Sequence, residues 1–531
     1  MKITLFKKGL EFFRSVAGKM MAWISGEKFH WTDLLALVAY GAVVSFGVWH
    51  HEAWSDEAYP WIIARDAEWR TFLEIIFTNR DRHPGLFYVV LLPLARLGLP
   101  YVAQGLLNAV FAAGAAFLLL ARAPFPRAFR YLFLISFYML YEYAVITRTY
   151  MMSVLIIFAI AACYPKRTER HWIYAILVAL LFQADFMCLG LGLGLFAVFA
   201  LEHRNKLTGN RPLVLSMGIM TLSAVLALWL AHDLPADHPD RGSHLAFTAT
   251  QCIVPVSKAF LPFMNDMERP PIPLLAMIGS FTALFFSIVA LLRKPALLLI
   301  LGCALAPLFY VFNFVNVGDY RHYGFILIGI VFTLWIAAAY PDESRGSKGF
   351  SWCRKARVAA ITMMCAFFIF GQKYVSFIYT LEYAKAFSGS KSTAQAIWLL
   401  EKQLKIFEQG YALVAQNARA ISLMPYLPGV KFWNPCTRSF ARYYYNEKTL
   451  SACNEVSGYE AILRTKAAWG NISKALFLFE EPLPVREDGD YVYQNIFQSE
   501  RGFGYTMETF YLYRALPKKP QAFPVGQNHS K

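Results

Sequence analysis

Apolar runs long enough to cross a hydrocarbon layer of ~30 Å recur between about residues 32 and 376 of this sequence, separated by short basic segments. One such run fixes one helix. A series of them fixes the solvent, because backbone inside lipid has to satisfy its own hydrogen bonds, and runs of this length do so as helices. The composition agrees, with 57% hydrophobic and 16% aromatic residues in 531. A net charge of +16 would suit a nucleic acid, but the basic residues sit between apolar spans, where they mark cytoplasmic loops, so no nucleic-acid partner is expected. The eight cysteines form no CxxC pair and most lie inside apolar runs, which argues against a zinc site. Cys436 and Cys453 fall in the hydrophilic tail, where an oxidising compartment would allow a bridge between them.

Orientation follows from the basic loops. A first span over 32–49 leaves a basic arm, residues 1–31, in the cytoplasm and delivers a loop over 50–100 outside. The apolar stretch 86–99 is short and holds Pro93 and Arg96, so it reads as interfacial. Were it to cross, the basic segments around Arg122 and Arg167 would be thrown outside, against the positive-inside bias. About eleven spans result: 32–49, 101–121, 131–147, 150–164, 172–186, 187–201, 213–231, 272–292, 296–314, 322–340 and 357–375. An odd number sends the carboxy terminus outside. The expected organisation is a cytoplasmic arm (1–31), a membrane module (32–376) and an extracytoplasmic α/β domain (377–531).

The outer corners carry the chemistry. Asp56 and Glu57 follow the first span by a few residues, beside Trp49, Trp54 and Trp61, at the depth where a lipid phosphate lies. An acidic pair in a loop is ordinarily a solvated face, so the other corners decide its weight. The same loop holds Arg82 and His83; the next corner holds Arg148 and Tyr150, preceded by Glu142; later corners offer Asp185, then Arg321 and His322. As plain structure, Glu142 and Asp185 would only lock helices together. The glycines Gly190, Gly192 and Gly194 lie inside an apolar run and read as close helix packing.

The acidic Asp56-Glu57 pair straight after the first span, His83-Pro84 later in that loop, and Arg148-x-Tyr150 at the next outer turn resemble the GT-C glycosyltransferases, the group of the protein O-mannosyltransferases and the lipid A aminoarabinose transferase. The resemblance covers roughly residues 30–200. It implies a polytopic α-helical membrane protein with a GT-C-like module and an outer carboxy-terminal domain, a donor sugar on a polyprenyl phosphate, and Asp56 as the essential carboxylate near the acceptor. Two motifs depart from the family: HisProGly stands for the common HisProPro, and GlnAlaAspPhe for ThrHisTyr. They leave the acceptor open among lipid, glycan and protein.

Transfer from a lipid phosphate needs a base for the acceptor hydroxyl and cations for the departing phosphate, with no second acid, and one base opposite the anomeric carbon predicts inversion. Asp56 is the expected catalytic base, with Glu57 beside it. Arg148, Arg82, His83, Tyr150, Asp185, Arg321 and His322 are the expected substrate-binding set. No cofactor is expected, and the second outer turn has no AspXaaAsp that would indicate a metal. No GxxxxGK[ST] or GxGxxG loop marks a cytoplasmic nucleotide site, so the donor is expected to arrive by lipid, in the inner membrane of a bacterium. The rival reading is a transporter or flippase, which would place polar residues at mid-membrane depth; here the charges cluster at span ends.

Overall fold

The computed structural model describes residues 18, 20–78, 83–206, 210–232, 248–262, 274–315, 317–340, 348–415, 420–443 and 456–518. Its contacts divide the chain into two compact units, Met1–His51 with Glu68–Tyr383, and Glu52–Ala67 with Ala384–Lys531. The helices are α1 (Trp31–His50), α2 (Ser55–Asp66), α3 (Trp69–Thr78), α4 (Leu86–Arg96), α5 (Val102–Arg122), α6 (Arg127–Leu134), α7 (Thr149–Cys163), α8 (His171–Ala184) and α9 (Leu189–His203). They continue as α10 (Arg211–His232), α11 (Thr250–Phe260), α12 (Leu274–Leu291), α13 (Pro295–Phe314), α14 (Tyr320–Ile336), α15 (Lys348–Ala384), α16 (Ser390–Leu404) and α17 (Gly458–Trp469).

Among the described residues, nine helical stretches are long and apolar enough to cross a membrane, those built on α1, α5, α7, α9, α10, α12, α13, α14 and α15. The apolar α4 and α8 are shorter. The span expected over 172–186 thus forms as the 14-residue α8. Helix α15 runs on to Ala384, past the boundary expected at 376. Glycines set one tight contact: a Cβ on Gly190 would lie 2.1 Å from the Cys303 carbonyl oxygen, and one on Gly194 3.0 Å from Ile300 Cα, so α9 meets the backbone of α13.

The stretch 131–147 differs most from a simple span. Helix α6 ends at Leu134, a five-residue π-helical segment follows at Tyr138–Glu142, and turns lead to Arg148. Broken backbone in an apolar segment leaves carbonyls without helical partners, and neighbouring side chains supply them. The Tyr40 hydroxyl donates to Met139 O at 2.5 Å, the Tyr379 hydroxyl to Leu140 O at 2.9 Å, and Asn108 Nδ2 to Tyr143 O and Ala144 O, both at 2.9 Å. Tyr138 and Tyr143 donate in turn to the carbonyls of Lys258 and Arg321.

The second unit holds a six-stranded sheet in the order β3-β2-β1-β4-β6-β5. Its strands are β1 (Ala412–Ala415), β2 (Phe432–Asn434), β3 (Ser439–Ala441), β4 (Ala475–Phe479), β5 (Tyr491–Gln498) and β6 (Tyr511–Pro517). The middle strands β2, β1 and β4 are parallel; β3 and β6 join them antiparallel, and β5 pairs antiparallel with β6. β4 is buried along its whole length, as a central strand covered on both faces should be. Ala461 and Ile462 of α17 share one buried core with Val414 and Phe477. Cys436 is disulfide-bonded, and Cys453 lies outside the described residues.

Candidate functional site

Arg148 is the N-cap of α7 and is 5% exposed. Asp185 sits between α8 and the 3-10 turn Phe186–Cys188, which it caps by accepting the Met187 amide at 2.8 Å. Its other carboxylate oxygen accepts the Thr149 hydroxyl. His83 arrives on the HisProGly turn ahead of α4, where a Cβ on residue 85 would come within 2.7 Å of Ile76 Cβ. That close approach to α3 is a physical reason for glycine at this place. Three turns distant in sequence therefore meet. Arg148 Nη2 is 2.6 Å from His83 Nε2, and His83 Nδ1 is 3.6 Å from Asp185 Oδ2, close but longer than a hydrogen bond.

Tyr150 extends the cluster: its ring meets His322 edge-on, centroids 6.2 Å apart and planes at 83°. His322 also serves the start of α14, where its Nδ1 accepts the Asp319 amide at 3.0 Å while Asp319 accepts the Tyr320 amide at 2.7 Å. The carbonyl of Arg321 accepts the Tyr143 hydroxyl at 2.7 Å. Gly324 leaves room for that tyrosine, since a Cβ there would lie 2.3 Å from its hydroxyl oxygen. His83, Arg148 and Asp185, picked from separate corners of the sequence, thus meet in the first unit, and Tyr150, two residues past Arg148, meets His322. Arg82 lies outside the described residues.

Sequence reasoning passed over other polar residues of the first unit. Thr149 fixes Asp185, and Lys258 on α11 stands over the Tyr320 ring with Nζ 4.3 Å from its centroid. A lysine as the single charged residue of α11 was the available signal for the second. The buried Glu382 of α15 pairs with His51 Nδ1 at 2.9 Å and accepts the Tyr141 hydroxyl at 2.6 Å.

In the second unit, Asp56 and Glu57 occupy the first turn of α2, where carboxylates complement the positive end of the helix dipole. Glu57 is fully buried and Asp56 half-buried. The helix is tied to the carboxy-terminal part of its own unit. Glu508 accepts the Ser55 amide at 3.2 Å and the Ser388 hydroxyl at 2.5 Å, Ser390 donates to Ala53 O at 2.7 Å, and the Tyr426 hydroxyl accepts the Ala53 amide at 2.8 Å. At the far end, Arg65 holds Asp66 through two contacts of 2.9 and 2.7 Å and donates to the carbonyls of Met424 and Pro425. Burial raises the Glu508 pKa, and the hydrogen bonds it accepts only partly offset that effect.

No family model matches the chain, and no curated protein does. Among solved structures it is similar to ArnT from Cupriavidus metallidurans, crystallised bound to undecaprenyl phosphate. The TM-score is 0.51 and the identity 12%, over 90% of this chain and 97% of that one. So low an identity with so wide a coverage is a likeness of fold, and the chain is accordingly a polytopic helical membrane protein with an ArnT-like fold and a carboxy-terminal α/β domain.

Proposed function

We infer that the protein is a membrane glycosyltransferase that moves a sugar from a polyprenyl-phosphate donor to a lipid, glycan or protein acceptor outside the cytoplasm. The observation that carries this reading is the fold shared with a protein solved on undecaprenyl phosphate, along 90% of the chain. The cluster around Arg148 supports it, because a guanidinium fork suits phosphate oxygens. In this scheme the acceptor hydroxyl attacks the anomeric carbon, its proton passes to the Asp56 carboxylate, and the bond from that carbon to the phosphate oxygen breaks. Polyprenyl phosphate leaves with the electron pair, held by Arg148, and the configuration inverts. Glu57, Arg82, Tyr150, Arg321 and His322 complete the proposed site. The proposed setting is a bacterial inner membrane, with the amino terminus cytoplasmic and the carboxy-terminal domain outside.

The test is turnover of purified protein with polyprenyl-phosphate sugars and a panel of acceptors, read as released polyprenyl phosphate. Asp56→Asn should lower the rate by ~10²–10⁴-fold, the usual worth of a positioned base. Equal rates in the two proteins would remove Asp56 as the base. Uptake of a labelled solute into vesicles without chemical change would replace the transferase reading with a transporter.

A further inference from the structure

The contact between Arg148 and His83 constrains where protons sit. A guanidinium stays protonated in proteins and has no acceptor, so Arg148 Nη2 donates across the 2.6 Å contact and His83 Nε2 accepts. The imidazole is therefore neutral, with its proton on Nδ1. That nitrogen faces Asp185 Oδ2 at 3.6 Å, and a carboxylate there favours this tautomer over the other. Asp185 is itself held on both sides: the Met187 amide takes Oδ1 and the Thr149 hydroxyl takes Oδ2, each as a donor to an ionised acid. Thr149 is also the residue after Arg148, which couples the carboxylate to the turn that presents the guanidinium.

We propose that Asp185 and His83 are positioning residues for Arg148: the buried carboxylate sets the tautomer of His83, and the imidazole aims the guanidinium at the phosphate of the lipid donor. The proposal rests on the reading of Arg148 as a phosphate ligand. Its physical content is pre-organisation. An arginine side chain loses much rotamer freedom when it is fixed, and an acceptor already in contact removes part of that cost from the binding step. The acceptor is an uncharged ring, so it orients the fork without adding a negative charge in contact with an anion site. A carboxylate in its place would repel the phosphate.

The experiment is binding of undecaprenyl phosphate to the purified full-length protein in detergent, with thermal melting to confirm folding. Arg148→Ala should weaken binding. His83→Ala should weaken it by about tenfold, the worth of one hydrogen bond to a charged group. His83→Gln, which keeps an acceptor atom, should recover part of that loss. Asp185→Asn should bind about as poorly as His83→Ala, because a carboxamide donor facing Nδ1 favours the tautomer that cannot accept from Arg148. The double variant His83→Ala with Arg148→Ala should be no worse than Arg148→Ala alone. Losses that multiply in the double variant, or a Gln variant no better than Ala, would overturn the positioning role while leaving the phosphate site intact. No binding by folded wild-type protein would overturn both.

Discussion

Arg148 illustrates what one residue can and cannot disclose. Its type and its place between apolar runs were legible in the sequence, as were those of His83 and Asp185. Their meeting was not, because it depends on how three separate turns pack. Charge at position 148 is tested by the pair Arg148→Lys and Arg148→Ala: donor affinity should fall further in the alanine variant, by about tenfold, and equal affinities would exclude a role for the cation. Gly190 offers a test that concerns packing alone. Gly190→Ala brings a methyl to 2.1 Å from the Cys303 carbonyl oxygen, so its melting point in detergent should drop, at a cost of about 1–3 kcal/mol. Gly302→Ala, next in sequence to that cysteine but with nothing within 4 Å of the added atom, should melt like wild type.

At the level of elements, hydropathy marks the apolar run over 131–147 but is blind to its internal break. The partners that make the break tolerable, Tyr40, Tyr379 and Asn108, lie on α1, α15 and α5, and no local pattern announces them. The sheet of the second unit was equally out of reach, since its order joins strands from distant segments. Its edge holds a titrating group. Burial of Asp488 works to raise its pKa, but the Tyr493 hydroxyl, the amides of Tyr491 and Asp490, and Lys466 outweigh it and bring the group to about 2. A depressed carboxyl contributes stability above its unfolded value of ~3.9 and loses that contribution as pH falls towards the folded value. Melting of the full chain should therefore decline between pH ~4 and ~2, and Asp488→Asn should flatten that slope. Helix α2 is tied down at its start by Glu508. Glu508→Ala should lower the melting point and Glu508→Gln should restore most of it, because a carboxamide oxygen still accepts from Ser55; identical losses would point to the charge instead.

For the molecule as a whole, apolar runs and basic connectors sufficed to read a many-helix membrane protein with a mixed α/β domain after it. They could not reveal that the segment carrying Asp56 folds with the distant carboxy-terminal residues, because that grouping lies in side-chain contacts such as Arg65 with Met424 and Ser390 with Ala53. The proposed orientation is checked by a fused reporter that works only outside the cytoplasm: attached after residue 518 it should be active, and attached before residue 31 inactive. The reverse pattern would place the candidate base on the wrong face for an incoming lipid-linked sugar.

A unit assembled from Glu52–Ala67 and Ala384–Lys531 also imposes an order on biosynthesis. The ribosome makes α2 early, and its anchors Ser390, Met424 and Glu508 emerge more than 300 residues later. Until then the helix with the candidate base has none of these ties, so a chain that stalls before residue 384 should reach the membrane with its second unit unformed.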